Sequence, residues 1–211
     1  MSMKGKFIVI DGGEGSGKTT ILKWFAETPF GKKFLITHEP GGTKFADKIR
    51  ALALSEEATR APAETQFGLM WAARAEHLKN KIIPALAKGV NVISDRFDSS
   101  TFAYQIYGQE AKHLEELFWQ TREVFLRDRK PDIYIFLDVE PEIGIKRISQ
   151  NRKKAKPLDH FEKRSLDFHQ RVREGYVEFF KTVPHITIDA HRSLKEVQLE
   201  VSALVRKYIR S

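Results

Sequence analysis

Phe7-Ile8-Val9-Ile10-Asp11-Gly12-Gly13-Glu14-Gly15-Ser16-Gly17-Lys18-Thr19-Thr20-Ile21-Leu22 is the stretch that decides the fold. Its four leading apolar residues, three of them β-branched, read as a short strand covered on both faces, and the run stops at Asp11. Residues 12–19 then fit G-x-x-x-x-G-K-[ST], and a helical pattern over residues 19–27 follows at once. A strand feeding a glycine-rich loop that opens a helix is the context in which this spacing becomes a phosphate cradle, a P-loop. The glycines let backbone N–H groups converge on phosphate oxygens, and the helix N-terminus adds the positive end of its dipole. Gly12, Gly13, Glu14, Gly15, Ser16, Gly17, Lys18, Thr19 and Thr20 are therefore expected around a nucleoside triphosphate. Lys18 supplies a point charge to the β- and γ-phosphates, and the Thr19 hydroxyl is placed to ligate Mg²⁺.

Outward from this stretch, apolar runs at residues 34–37, 90–94, 133–137 and 186–188 predict four more strands. Helical patterns cover residues 45–54, 64–88, 111–129, 141–150, 161–181 and 194–209. Lys88-Gly89, Pro131 and Pro141 punctuate the boundaries. Strands alternating with helices imply a three-layer α/β/α P-loop NTPase fold with a five-stranded parallel sheet. With 211 residues and neither repeats nor low-complexity linkers, residues 1–211 read as a single domain. Ligands of such sheets gather beyond the carboxyl ends of the strands.

The absence of cysteine excludes disulfide scaffolds, thiolate metal sites and cysteine nucleophiles. No apolar run approaches the roughly 18 to 20 residues that span a bilayer, and the four apolar residues before Asp11 fall short of a secretory signal. A cytoplasmic protein with no membrane partner is expected. The formal charge of +8 fits either nucleic acid or small phosphorylated ligands. Much of it lies in Lys146, Arg147, Arg152, Lys153, Lys154 and Lys156, with no acidic residue from Ile143 to Leu158.

A P-loop names a ligand and not a reaction, so the reaction must be read elsewhere. Asp95-Arg96 ends the third strand run and offers a carboxylate for the metal and a guanidinium for phosphate oxygens. Ser100, Thr101, Tyr104 and Gln105 follow within one or two helical turns, a group of neutral hydrogen-bonding side chains suited to a sugar and a base. Arg50, Arg74 and Arg96, far apart in sequence, can assemble a site for a dianion.

Together these residues resemble the thymidylate kinases. The resemblance rests on Gly12 to Thr20, Glu39-Pro40-Gly41-Gly42-Thr43, Ile49-Arg50, Ala72-Ala73-Arg74, Pro84-Ala85-Leu86 and Asp95-Arg96 through Ala103-Tyr104-Gln105. It continues in Leu158-Asp159, Phe161-Glu162 and Val172-Arg173-Glu174-Gly175-Tyr176, and so covers nearly the whole chain. It implies transfer of the γ-phosphoryl of MgATP to dTMP, giving dTDP and ADP, by an enzyme that forms homodimers through a long helix. Arg50 and Arg96 are then expected on the acceptor phosphate, Arg74 on the O4 edge of thymine, Thr101 near N3, Tyr104 against the deoxyribose and Glu14 near the sugar 3′-hydroxyl. Thr19 and Asp95 are expected at the metal. Lys18, Asp95, Arg96 and a lid arginine, Arg152, form the implied catalytic set, with the lid at about residues 150–160 and Arg147 beside adenine.

The basic run is thereby read as a lid over ATP and not as a nucleic-acid patch. A kinase for another deoxynucleotide and a nucleic-acid-stimulated ATPase are the rival readings. Three positions depart from the family pattern: Met70 stands where a stacking phenylalanine is usual, and His38 and His160 stand where arginines are usual.

Overall fold

Each of the five apolar runs forms a strand: β1 (Phe7–Asp11), β2 (Phe34–His38), β3 (Asn91–Asp95), β4 (Ile133–Asp138) and β5 (His185–Asp189). The structure is a computed structural model that describes residues 5–151 and 161–210. The strands are all parallel, in the order β2-β3-β1-β4-β5. Alternate residues of β1 enter different cores, as the period-two pleat requires. Phe7 and Val9 pack with residues of β3 and β4 on one side, and Ile8 and Ile10 pack on the other. β1, central in the sheet, is buried throughout. The edge strands differ from the expectation of cover on both faces: only Thr37 of β2 and Ile188 of β5 are buried. With a neighbour on one side only, they expose what the central strands hide.

Helices complete the other two layers. In chain order they are α1 (Lys18–Glu27), α2 (Lys44–Ala53), α3 (Ala63–His77), α4 (Ile83–Ala87), α5 (Asp98–Thr101), α6 (Glu115–Leu126), α7 (Pro141–Asn151), α8 (Leu166–Phe180) and α9 (Leu194–Arg210). Side chains of α1 and α9 close the core against Ile8 and Ile10, whereas α3, α6 and α8 close the aromatic-rich core against Phe7 and Val9.

Three expected helices are corrected. The one over residues 64–88 is α3 and α4 joined by a π-helical turn, Leu78–Ile82. The one over residues 111–129 shortens to α6 behind a 3₁₀ turn, Lys112–Leu114. The one over residues 161–181 begins only at Leu166, because Ser165 Oγ caps it by accepting from Phe168 N. The helical turns expected to carry Ser100 to Gln105 are α5, which runs on into a π-helical stretch, Phe102–Gly108. Residues 101–106 are all buried, so no polar face alternates with an apolar one and the period is hidden. This stretch lies tight on α8, where a Cβ on Gly175 would come within 2.8 Å of Ala103 Cα. No described helix is long and apolar enough to cross a membrane.

Candidate active site

The site assembles where β1, β2 and β3 end. The hydrogen-bond ladder continues one residue beyond the strands, with Glu39 N donating to Asp95 O at 2.9 Å and Arg96 N donating to Ile10 O at 3.0 Å. This sets Glu39, Arg96 and the P-loop side by side. Gly15 turns at φ 70°, and any side chain there would strike the backbone of Gly144 in α7.

Lys18, 6% exposed, donates from Nζ to Gly12 O at 2.7 Å, Gly13 O at 2.8 Å and Ser16 Oγ at 3.1 Å. Burial, reinforced by the Arg96 charge, lowers its pKa from 10.5 to about 8, against the pull of Glu14, Asp95 and Asp11. Thr19 Oγ1 donates to Asp95 Oδ2 at 3.2 Å, so the two expected metal ligands meet. Both are hard oxygen donors, and among the described residues no group of three or more acidic or histidine side chains could hold a metal by itself. That donor set fits a Mg²⁺ ion that draws its remaining ligands from phosphates and water.

Arg96 carries the densest set of contacts. Its backbone is left-handed at φ 68°, a rare conformation for a side chain of this size, which turns the guanidinium back over the P-loop. Nη2 donates to Glu14 Oε1 at 2.6 Å and to Tyr104 Oη at 3.2 Å. Nη1 donates to Ser100 Oγ at 3.1 Å and Tyr176 Oη at 2.9 Å. Tyr104 Oη in turn donates to Glu14 Oε1 at 2.6 Å. Burial alone would raise the Glu14 carboxyl, but Arg96, Lys18 and the Tyr104 hydroxyl bring it down from 4.5 to about 2. Behind this group lies fully buried Asp11, which accepts from Tyr176 Oη at 2.7 Å and Ser99 Oγ at 2.6 Å.

Beside the P-loop opens a cavity of about 800 Å³, lined by Arg50, Met70, Arg74, Arg96, Ser100, Thr101, Tyr104 and Gln105 together with Glu14, Lys18 and Asp95. All eight expected acceptor residues other than Glu14 therefore converge with it on one space. Arg50 Nη1 donates to Pro40 O at 2.8 Å, which holds the side chain against the Glu39-Pro40 turn. His38 also lines the cavity, and burial together with the Arg50 charge lowers its pKa.

Arg74 departs from the expectation of three cations sharing a dianion. Only 3% exposed, it donates from Nε to Glu39 Oε2 at 2.8 Å, so its charge is already matched by a carboxylate. Nη2 donates to Phe97 O at 2.9 Å and Thr101 Oγ1 at 3.1 Å, and the guanidinium lies over the Trp71 ring at 4.6 Å. Nη1 is buried with no hydrogen-bond partner among the described residues, and so is Gln105 Nε2 in the same cavity wall. Two buried donors without acceptors are costly unless a ligand supplies them. Lys18, Arg50 and Arg96 are the cations of the wall nearest the P-loop, Arg96 being paired with Glu14, and the Arg74 side is a neutral, donor-rich end.

Arg147 lies away from that cavity, donating from Nη1 to Ala190 O at 2.8 Å and from Nη2 to His191 O at 3.1 Å. Arg152 and His160, expected in the lid, lie outside the described residues. Of four further residues that shape the site, Asp11 and Glu39 were expected there only as strand-end positions, and His77 and Tyr176 were given no role. Glu39 and Tyr176 sat within recognised motifs, but nothing local to them shows what they touch.

Comparison with known proteins adds an independent line. A family profile described as thymidylate kinase matches residues 10–201. The thymidylate kinase of Buchnera aphidicola subsp. Baizongia pistaciae (strain Bp) is 41% identical over 201 residues, spanning 93% of this chain and 92% of that protein. That of Nitrosospira multiformis is 41% identical over 205 residues, spanning 94% and 96% respectively. A crystal structure of thymidylate kinase from Ehrlichia chaffeensis superposes with a TM-score of 0.72 at 28% identity, covering 96% of this chain and 98% of that one.

Proposed function

The chain belongs to the thymidylate kinase family, and we propose that it carries that family's reaction, moving the γ-phosphoryl of ATP onto dTMP to give dTDP and ADP. The observation that carries the reading is one continuous space lined by the phosphate cradle and by Arg74 and Gln105, each of which holds a buried donor with no partner among the described residues.

At the donor end the P-loop amides and Lys18 hold the β- and γ-phosphates. Mg²⁺ bound with ATP, held by Thr19 and by Asp95 directly or through water, would supply neutralising charge there. At the acceptor end Arg50 and Arg96 take the monophosphate. That group is itself the nucleophile and needs no general base, so the work of the protein is alignment and charge compensation. Arg74 Nη1 donates to the carbonyl edge of the base, Thr101 and Gln105 complete its polar contacts, and Met70 packs on the ring through its polarizable thioether. Tyr104 and Glu14 flank the sugar. Residues 1–211 act as one kinase domain, with the lid at about 150–160 bringing Arg152 to the transferring group and Arg147 near adenine.

A homodimer in the cytoplasm is part of this proposal. Phe45 and Leu52 on α2 and Leu117, Val124 and Phe125 on α6 are exposed apolar side chains that a second copy would cover, and light scattering should then return twice the 24.3 kDa mass of one chain.

Turnover of dTMP, dUMP, dCMP and dGMP at equal concentration with MgATP tests the reaction by direct detection of each diphosphate. dTMP is expected to be the best acceptor. A better acceptor than dTMP would reject the reading, as would ATP hydrolysis that needs added DNA or RNA and no monophosphate.

A further inference from the structure

Arg74 can present a single unpaired donor to the acceptor only if its planar guanidinium is prevented from turning. The guanidinium packs on both Trp71 and Phe97, its carbon 4.6 Å and 5.2 Å from their ring centres. Rotation of its plane is opposed at Nε, where Glu39 Oε2 accepts at 2.8 Å. Glu39 is 2% exposed, and a carboxylate held by one oxygen alone could still pivot about its own torsions. Its second oxygen is held by His77. The fully buried imidazole places Nδ1 3.0 Å from Glu39 Oε1 and Nε2 2.8 Å from Thr37 Oγ1. A carboxylate can only accept, so Nδ1 bears the hydrogen of that bond. Backbone seals the far side: a Cβ on Gly42 would lie 2.5 Å from His77 Nε2 and 2.8 Å from Thr37 Oγ1. His77 itself is absent from the cavity lining, whereas Thr37, Glu39 and Arg74 are all part of it.

We propose that His77 is a positioning residue for acceptor selection: through Glu39 it locks Arg74 with Nη1 turned to the base, so that the site demands a carbonyl and rejects an amino group at that edge. The proposal rests on the reaction assigned above and names the device behind its base preference. A site whose donor is held rigidly discriminates because a ligand bearing an amino group leaves two donors facing each other in a dry pocket. A guanidinium free to turn could move Nη1 aside, and that penalty would shrink. No group transfer passes through His77, so the chemical step itself does not depend on it.

The test compares kcat and KM for dTMP, dCMP and ATP in the full chain and in three variants. His77→Leu removes both contacts. His77→Asn keeps an N–H near the position of Nδ1, and His77→Gln keeps a polar group near that of Nε2. In His77→Leu the ratio of kcat/KM for dTMP to that for dCMP is expected to fall about tenfold, the low end of the loss for a hydrogen bond to a charged group. The change should appear as a lower KM for dCMP, with kcat and the KM values for dTMP and ATP held within about threefold. His77→Asn should restore most of the ratio and His77→Gln should not. The inference is overturned if His77→Leu melts earlier yet keeps the wild-type ratio, or if Gln rescues and Asn does not. Should His77→Leu fail to fold, the Asn and Gln variants, both polar and of similar size, decide between the same outcomes. A wild-type chain that does not prefer dTMP overturns instead the reaction on which the inference rests.

Discussion

Replacing Lys18 by methionine should abolish phosphoryl transfer and yet make the ligand-free protein more stable. The ammonium sits in the P-loop with its pKa drawn from 10.5 to about 8, so the fold holds it charged at a cost. At about 1.4 kcal/mol per pH unit this cost is roughly 3 kcal/mol near neutrality. Methionine is uncharged and of similar length, and removes the penalty. The substitution also takes the donor from Gly12 O and Gly13 O, which returns about 1 kcal/mol of the gain where water does not replace it. A net stabilisation of about 1 to 3 kcal/mol should raise the melting temperature by roughly 2 to 12 °C for a chain of this length.

The sign of the pH dependence follows from the lowered folded-state value. Below about pH 8 both folded and unfolded chains carry the proton, and the penalty is complete. Between about 8 and 10.5 the folded state sheds the proton first, so wild-type stability gains on the variant. Calorimetric melts of both proteins without ligand, at pH 7, 9 and 10, should show a gap that is widest at pH 7 and nearly closed at the highest pH. Added MgATP should then stabilise the wild type and leave Lys18→Met almost unmoved. A variant that melts below the wild type at pH 7, or a gap of the same size at every pH, would refute the account of a desolvated lysine.

Glu14→Gln should act with the opposite sign. The carboxyl is drawn from 4.5 down to about 2, so its stabilising contribution is present above about pH 4.5 and is lost as pH falls toward 2. Urea midpoints should place Glu14→Gln about 3 kcal/mol below wild type at pH 7, with the difference shrinking by pH 3; a neutral effect at pH 7 would contradict the Arg96 contact. Gly175→Ala should cost about 1 to 3 kcal/mol, less up to about 1 kcal/mol of helix propensity, because its Cβ meets Ala103 and Tyr107 at 2.8 Å. By shifting the stretch that carries Tyr104 and Gln105, it should raise KM for dTMP severalfold and leave KM for ATP alone. Equal increases in both constants would show that α8 does not act through the acceptor wall.

The two ends of the site were not equally open to a reader of the sequence. The P-loop was, because its chemistry is local: a strand, a glycine-rich turn, Lys18 and Thr19 are contiguous, and backbone amides do most of the binding. Strand positions were legible for the same reason, since short runs rich in apolar and β-branched residues carry their own signal. The acceptor residues came from motifs in three separate regions, and all of them line the one cavity. The helical stretch that holds Tyr104 and Gln105 was legible from the spacing of its polar residues and not from amphipathic periodicity, which its burial erases.

The charge state of that cavity was beyond sequence reading. Arg74 looks like a third phosphate ligand until Glu39, 35 residues earlier, is found to neutralise it, and Glu39 depends in turn on His77, 38 residues later. Asp11 meets Tyr176 across 165 residues. Residue spacing along the chain determined the phosphate cradle, the five strands and the identity of the cations, because each depends on neighbours within a turn or a strand. Only the packing of α3 and α8 against the sheet decided which carboxylate each of those cations meets, Glu39 for Arg74 and Glu14 for Arg96. Electrostatic partnership is a matter of distance through space, and the fold sets that distance.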